Sequence, residues 1–249
     1  MNYLLRIVTL TLVLITALSC NGDNAPECFR NAGNKTSYAV VVPEFNTLYV
    51  SAGVEVVLVQ GDTQSVVIET GENLKEYISA EVNNGELRLT NAVSCNWVRD
   101  YNTTTITVTT PHLEKIYTAT QFTIRSAGTL SFPNLSIQSG IFEETASGTL
   151  QLDVDCETLT IEDNQELYSI ITGHVDNLNV NFYAGDARFN GTGLIAGNVT
   201  IFHRSSNDIF ISANQQVTGT LYSTGNLVLL NHPPVVNVER RYTGNVVYE

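Results

Sequence analysis

The sequence predicts an all-β chain wound as a β-solenoid (parallel β-helix), and three observations predict it. A strand-like phrase recurs at Asn134-Leu135-Ser136-Ile137, Thr158-Leu159-Thr160-Ile161, Asn177-Leu178-Asn179-Val180, Asn198-Val199-Thr200-Ile201 and Gly219-Thr220-Leu221-Tyr222, returning every 19 to 24 residues. A second phrase, turn formers followed by an apolar residue, is interleaved with it at Gly128-Thr129-Leu130, Gly148-Thr149-Leu150, Gln165-Glu166-Leu167, Gly185-Asp186-Ala187, Asn207-Asp208-Ile209 and Gly225-Asn226-Leu227. Helical periodicity is almost absent, with only Asn73 to Ile78 offering a single turn. A coil of this length cannot bury its apolar side alone, so stability has to come from stacking coil on coil.

Taken from the N-terminus, residues 1–19 carry one cation, Arg6, then an apolar stretch from Ile7 to Ile15, the layout of a secretory signal and too short for a membrane span. Ala17-Leu18-Ser19 before Cys20 resembles the lipobox of bacterial lipoproteins, with the Leu usual three places before the Cys displaced to Leu18. That resemblance implies diacylation of Cys20, and buried acyl chains hold a protein on a membrane at about 0.8 kcal/mol per CH₂. An ordinary secretory signal is the alternative. Residues 20–37 are polar and turn-rich and read as a tether.

A β-helix-like head is expected over residues 38–249, with an N-terminal half to about residue 112 and the repeat half from about 113. Runs such as Val54 to Val59, Val66-Val67-Ile68 and Thr105 to Val108 are β-branched and separated by Gly, Asn and Asp. Gln60-Gly61-Asp62 and Asn83-Asn84-Gly85 read as hairpin turns, so antiparallel hairpins are expected in the N-terminal part. Asn46 to Val50 with Val56-Val57-Leu58 echoes Leu113 to Tyr117 with Phe122-Thr123-Ile124, which suggests two related halves stacked on one axis. Alternation within each rung points Leu135, Ile137, Leu159, Ile161, Leu178, Val180, Val199 and Ile201 inward and Ser136, Thr160, Asn179 and Thr200 outward. Stacked Asn and Thr on that outer face can form hydrogen-bonded ladders between coils.

Formal net charge is −13 with 12 Lys plus Arg. Such a surface repels phosphate backbones, which excludes nucleic acid and favours cations, neutral glycans or proteins as partners. No stretch after the signal approaches the roughly 18 apolar residues that cross a bilayer. With Cys20 assigned to lipid, three of the four cysteines remain, and an exported chain matures where thiols oxidise. Cys156 sits inside the repeat beside Leu159 and Ile161, where a small half-buried side chain suits a strand. The expected disulfide is therefore Cys28 with Cys95, worth about 4 kcal/mol by chain entropy; the alternative leaves all three reduced.

The segments Glu44 to Val50, Val56 to Asp62, Val66 to Gly71 and Asn84 to Leu89, followed by the repeat half, resemble the DUF2807 family, the auto-transporter adhesin head GIN domains common as lipoproteins in Bacteroidetes-type bacteria. Cys28-Phe29 and Ser94 to Arg99 look like a branch of that family in which both cysteines recur. The resemblance spans about Phe45 to Asn231 and implies a right-handed β-helix and an envelope location.

Catalytic signals are weak. His112, His174, His203 and His232 are scattered without metal-ligand spacing and read as surface or turn residues. No nucleophile elbow, phosphate loop or dinucleotide fingerprint occurs. An acidic group, Glu143, Glu144, Asp153, Asp155, Glu157, Glu162 and Asp163, offers paired carboxylates for a glycosidase or for Ca²⁺, with Asp153 and Asp155 on one strand face. A polysaccharide lyase also needs a base, and between Arg125 and Arg188 there is no Lys or Arg. Trp97 with Tyr101 reads as a plug on the core end or a sugar-stacking platform. Tyr49, Tyr117, Phe122 and Phe202 are expected within or against the coil, and Arg240-Arg241-Tyr242 as a cap on the final rung.

The expected function is thus a non-catalytic, adhesin-like lipoprotein of the outer membrane, without cofactor or metal, binding a glycan or protein ligand at the cell envelope. A periplasmic structural or assembly scaffold is the alternative, and a carbohydrate-active β-helix enzyme stands third.

Overall fold

The computed structural model describes residues 31–93, 104–142 and 147–249. Its strands run in chain order as β1 (Lys35–Val40), β2 (Thr47–Val50), β3 (Glu55–Gln60), β4 (Ser65–Gly71), β5 (Ile78–Asn83), β6 (Glu86–Asn91), β7 (Thr105–Thr110), β8 (Lys115–Thr118), β9 (Thr123–Leu130) and β10 (Asn134–Ser139). There follow β11 (Thr149–Asp163), β12 (Tyr168–Phe182), β13 (Arg188–His203), β14 (Ile209–Leu221), β15 (Leu227–Leu229), β16 (Val235–Arg240) and β17 (Val246–Tyr248). A 3₁₀ turn at Glu72–Tyr77 occupies the one stretch with helical pattern. No helix among the described residues is long and apolar enough to cross a membrane.

The strands stack into two ladders. The first runs β5, β6, β2, β8, β10, then the C-terminal parts of β11 to β14, then β16. The second runs β1, β4, β7, β3, β9, then the N-terminal parts of β11 to β14, then β15 and β17. Pairing is parallel except at β1–β4, β4–β7 and β5–β6. The long strands β11 to β14 each serve both ladders, so one coil is a single bent strand plus a turn. β1 begins at Lys35, inside the stretch that reads as tether.

The echo between the two halves is a direct contact. β2 pairs with β8, matching Leu48 with Ile116 and Tyr49 with Tyr117, and β3 pairs with β9, matching Val56 with Ile124. The coil of β2 and β3 lies between that of β6 and β7 and that of β8 and β9, so spatial order departs from chain order. The hairpin that permits this is β5–β6, with Asn83 opposite Glu86 and φ of 50° and 79° at Asn84 and Gly85. Two positive φ angles match the right-handed strand twist, and Asn-Gly adopts them at little cost. Gln60-Gly61-Asp62, by contrast, is a turn without a hairpin: β7 is inserted between β3 and β4.

Core positions follow the alternation. Leu135, Leu159, Leu178 and Val199 lie in register, as do Ile137, Ile161, Val180 and Ile201, and all are buried. Two repeat phrases are corrected in register. The rung matching Asn198 to Ile201 is Gln216-Val217-Thr218-Gly219, three residues before the expected start at Gly219. Gly219 itself opposes Ile201 with φ of 139°, and a Cβ there would lie 2.0 Å from the Ile201 carbonyl oxygen. An odd shift exchanges inner and outer faces, so Leu221 points inward. In β9 the register shifts between Arg125 and Thr129, which places Leu130 opposite Val154 and makes Thr123-Ile124 the match of Thr149-Leu150. The Asp153 N–H donates to the Ser126 hydroxyl at 2.9 Å across this bulge.

Candidate binding face

Parallel stacking sets equivalent residues of successive coils about 4.8 Å apart, the distance at which planar groups stack and amides reach one another. The outer face of the first ladder exploits this in three columns. In one, the Asn198 amide donates to Asn177 Oδ1 at 3.1 Å and the Asn177 amide to the Glu157 carbonyl at 3.3 Å. In the next, Asn179 Nδ2 donates to Thr160 Oγ1 at 3.2 Å.

The third column reads, in register, Arg88, Tyr49, Tyr117, Gln138, Glu162, Asn181, Phe202. The Arg88 guanidinium sits 3.7 Å from the Tyr49 ring centroid, and Tyr49 and Tyr117 stack at 5.1 Å and 7°. Phe142, 72% exposed, leans on Tyr117 and donates its backbone N–H to the Tyr117 hydroxyl at 3.1 Å. Glu162 accepts from Gln138 Nε2 and from the Tyr183 hydroxyl, both at 2.6 Å. Burial, and then the bond to Glu162 and its charge, push the Tyr183 hydroxyl up to about 12. Tyr183 packs on Phe202 at 5.6 Å and Phe202 on Tyr222 at 4.9 Å. Tyr49, Tyr117 and Phe202 therefore pack against the coil from outside.

The acidic group separates by side. Asp153 accepts hydrogen bonds from the hydroxyls of Thr129 at 2.8 Å and Thr172 at 3.3 Å, one coil to either side. Asp155 pairs with the exposed His174 at 3.6 Å. Glu162 faces outward from the first ladder, whereas Asp163 turns into the interior. Among the described residues no three His, Cys, Asp or Glu side chains gather as a metal would require. Glu143 and Glu144 lie outside the described residues.

Asp163 caps a corner: its Oδ2 accepts the backbone N–H groups of Gln165 at 3.0 Å and Leu167 at 3.3 Å. Burial nonetheless raises its pKa above the ordinary carboxylate value, against the pull of those N–H groups and the Ser139 hydroxyl. His203 corrects the expectation of a surface or turn residue. It is fully buried with neither ring nitrogen in a hydrogen bond, and it packs edge-on to Phe182 at 6.0 Å. Burial lowers its pKa to about 4, an effect that the Asn207 backbone and the Asp208 charge offset only in part. Its sequence neighbours Phe202 and Arg204 face outward, so the alternation of β13 carries His203 in. Cys156 has a free thiol, more buried than expected, which burial pushes up to about 11.

An open cleft of about 900 Å³ lies among Glu44, Asn46, Asp62, Gln64, Asn84 and His112. On its rim Glu114 accepts from His112 at 3.1 Å and from Asn46 at 2.9 Å, which hold its carboxyl below the ordinary value. His232 is exposed and stacks on Tyr248. At the last rung Arg240 Nε donates to the Gly244 carbonyl at 2.9 Å and Arg241 pairs with Glu239 at 2.9 Å, while Tyr242 is largely exposed. Cys20, Cys28, Cys95, Trp97 and Tyr101 lie outside the described residues.

The repeat phrases left out Tyr183 and Arg204, and took Tyr222 as part of a rung rather than as the residue after one. Each immediately follows a rung, and that position was the available signal.

The described residues define a parallel β-solenoid with a patterned outer sheet. The chain belongs to the DUF2807 family, described as "Putative auto-transporter adhesin, head GIN domain", whose sequence profile matches residues 44–233. Among solved structures, an adhesin-named protein of Bacteroides fragilis superposes with a TM-score of 0.76 at 16% identity, covering 88% of this chain and 99% of that one. A protein of Parabacteroides distasonis named for lipid binding gives 0.63 at 16%, covering 87% and 98%, and an adhesin-named protein of the same organism gives 0.62 at 14%, covering 88% and 99%. At these identities the likeness is one of fold. No curated protein matches the chain in sequence.

Proposed function

We propose that the chain is a non-catalytic cell-envelope lipoprotein, anchored through Cys20 to the outer membrane, whose β-helical head binds a glycan or protein ligand through the outer face of its first ladder. The observation that carries this reading is the third outer column with its flanking Asn and Thr ladders. A solvated sheet needs only polar residues outside, yet here stacked rings, amides and a shared carboxylate follow one another over seven successive rungs. Aromatic faces with hydrogen-bonding groups beside them are the usual means of holding amphipathic ligands. The family description and the adhesin-named neighbours support the same direction.

The test combines display and binding. Protease treatment of intact cells is expected to release the head, and the purified protein is expected to retain either a glycan on an array or a protein from envelope extract. Protection until the envelope is broken, with no ligand retained, would favour the periplasmic scaffold. Cys20→Ser is expected to abolish uptake of labelled palmitate, and undiminished uptake would refute the anchor.

A further inference from the structure

We infer that the corner following the first ladder, at Tyr183, Phe202, Arg204 and Tyr222, is a binding site for a neutral polysaccharide laid along the solenoid axis; this rests on the binding reading above and gives it a place and a ligand class. The backbone bonds Tyr183 N–H to Asp163, Arg204 N–H to Phe182 and Tyr222 N–H to His203 put Tyr183, Arg204 and Tyr222 at equivalent positions on three successive coils. Phe202 bridges the two tyrosines, with centroids at 5.6 and 4.9 Å. The result is a short row of rings running with the stack, open to solvent at Tyr222, which is 41% exposed. A protein that had only to close its core would place small polar residues here, as it does at Thr200 and Thr218.

The polar groups along the row are arranged for hydroxyls. Arg204 is exposed and its guanidinium has no hydrogen bond or ion pair among the described residues, leaving five N–H donors on the row. On the adjoining column Glu162 is already engaged by Tyr183 and Gln138, and the next cation, Arg241, is engaged by Glu239. Donors beside aromatic faces suit pyranose rings, whose C–H faces cover the rings while their hydroxyls accept. The net charge of −13, with Asp186 and Asp208 on the turns beyond, opposes a polyanion, so the chain recognised is an uncharged one.

The experiment uses the whole chain and neutral hexasaccharides of β-1,4-glucose, β-1,3-glucose and α-mannose as probes, with polygalacturonate as the charged comparison, read by titration calorimetry at low and high salt. At least one neutral hexamer is expected to bind with little salt dependence. Tyr222→Ala is expected to weaken it about tenfold and Arg204→Gln by several-fold, with unchanged thermal unfolding because both side chains are exposed. Binding of a neutral hexamer that both variants retain in full would overturn the site, and binding of polygalacturonate alone would overturn the ligand class. No affinity for any saccharide, beside capture of an envelope protein, would overturn this inference while the broader binding reading stands.

Discussion

Asp163 and His203 occupy one inward-facing column, with Phe182 between them, and burial holds both toward their neutral forms. The acid is pushed up and the base down, so the two charges that would attract one another are each disfavoured by the apolar corner they share. Both are costs the coil carries for specific reasons: Asp163 binds the N–H groups that form the corner, and His203 fills the volume beyond Phe182.

Acid stability should report His203. Above its ordinary value of 6.5 the ring is neutral in both states and no proton linkage acts. Below that the unfolded ring protonates while the folded ring stays neutral to about pH 4, so stability is lost as pH falls through this window, by up to about 1.4 kcal/mol per pH unit. Asp163 has the opposite sign: with its folded pKa raised, its penalty grows as pH rises, so it cannot produce a loss on acidification. Urea unfolding of His203→Leu is expected to show a flatter profile than the wild type between pH 7 and pH 4. Parallel profiles would contradict the assignment.

The stacked interior makes a sharp contrast between faces of one strand. Ile161, fully buried between Ile137 and Val180, should cost about 2–5 kcal/mol on replacement by Ala. Exposed Thr200→Ala should stay within about 0.5 kcal/mol. Chemical denaturation of the two variants tests the register directly.

Gly219→Ala introduces a Cβ against the Ile201 carbonyl at a φ that side chains avoid. A loss of more than about 1 kcal/mol is expected, and thermal melts would show it. A neutral result would mean that the rung tolerates a shift there.

Mass spectrometry without reductant is expected to recover a Cys28–Cys95 peptide, and Cys28→Ser is expected to lower stability by up to about 4 kcal/mol. Two free thiols at those positions would leave all three mature cysteines reduced. Cys156, already buried and protonated, is expected to resist alkylation in the folded protein.

Much of the architecture was readable from local pattern. Alternation at Leu135, Leu159, Leu178 and Val199 marks the interior because a strand has a period of two wherever it occurs. Asn84-Gly85 marks a hairpin because few other pairs accept its dihedral angles. The outer Asn and Thr ladders follow once rungs are known to stack. Register near Gly219 and in the β9 bulge was not readable, since a similar strand-like run three residues away at Gly219, and six away in β9, satisfies the same local pattern.

By itself the amino-acid sequence determined that this chain is a stack of β-coils with a polar exterior, because side-chain alternation and turn chemistry act within a few residues. Only the tertiary structure decided that β7 enters between β3 and β4, that His203 and Asp163 share a buried corner, and that Tyr183, Phe202 and Tyr222 form one row. Those relationships join residues about twenty positions apart or more, and their geometry depends on which coil lies against which, an outcome of packing over the whole stack.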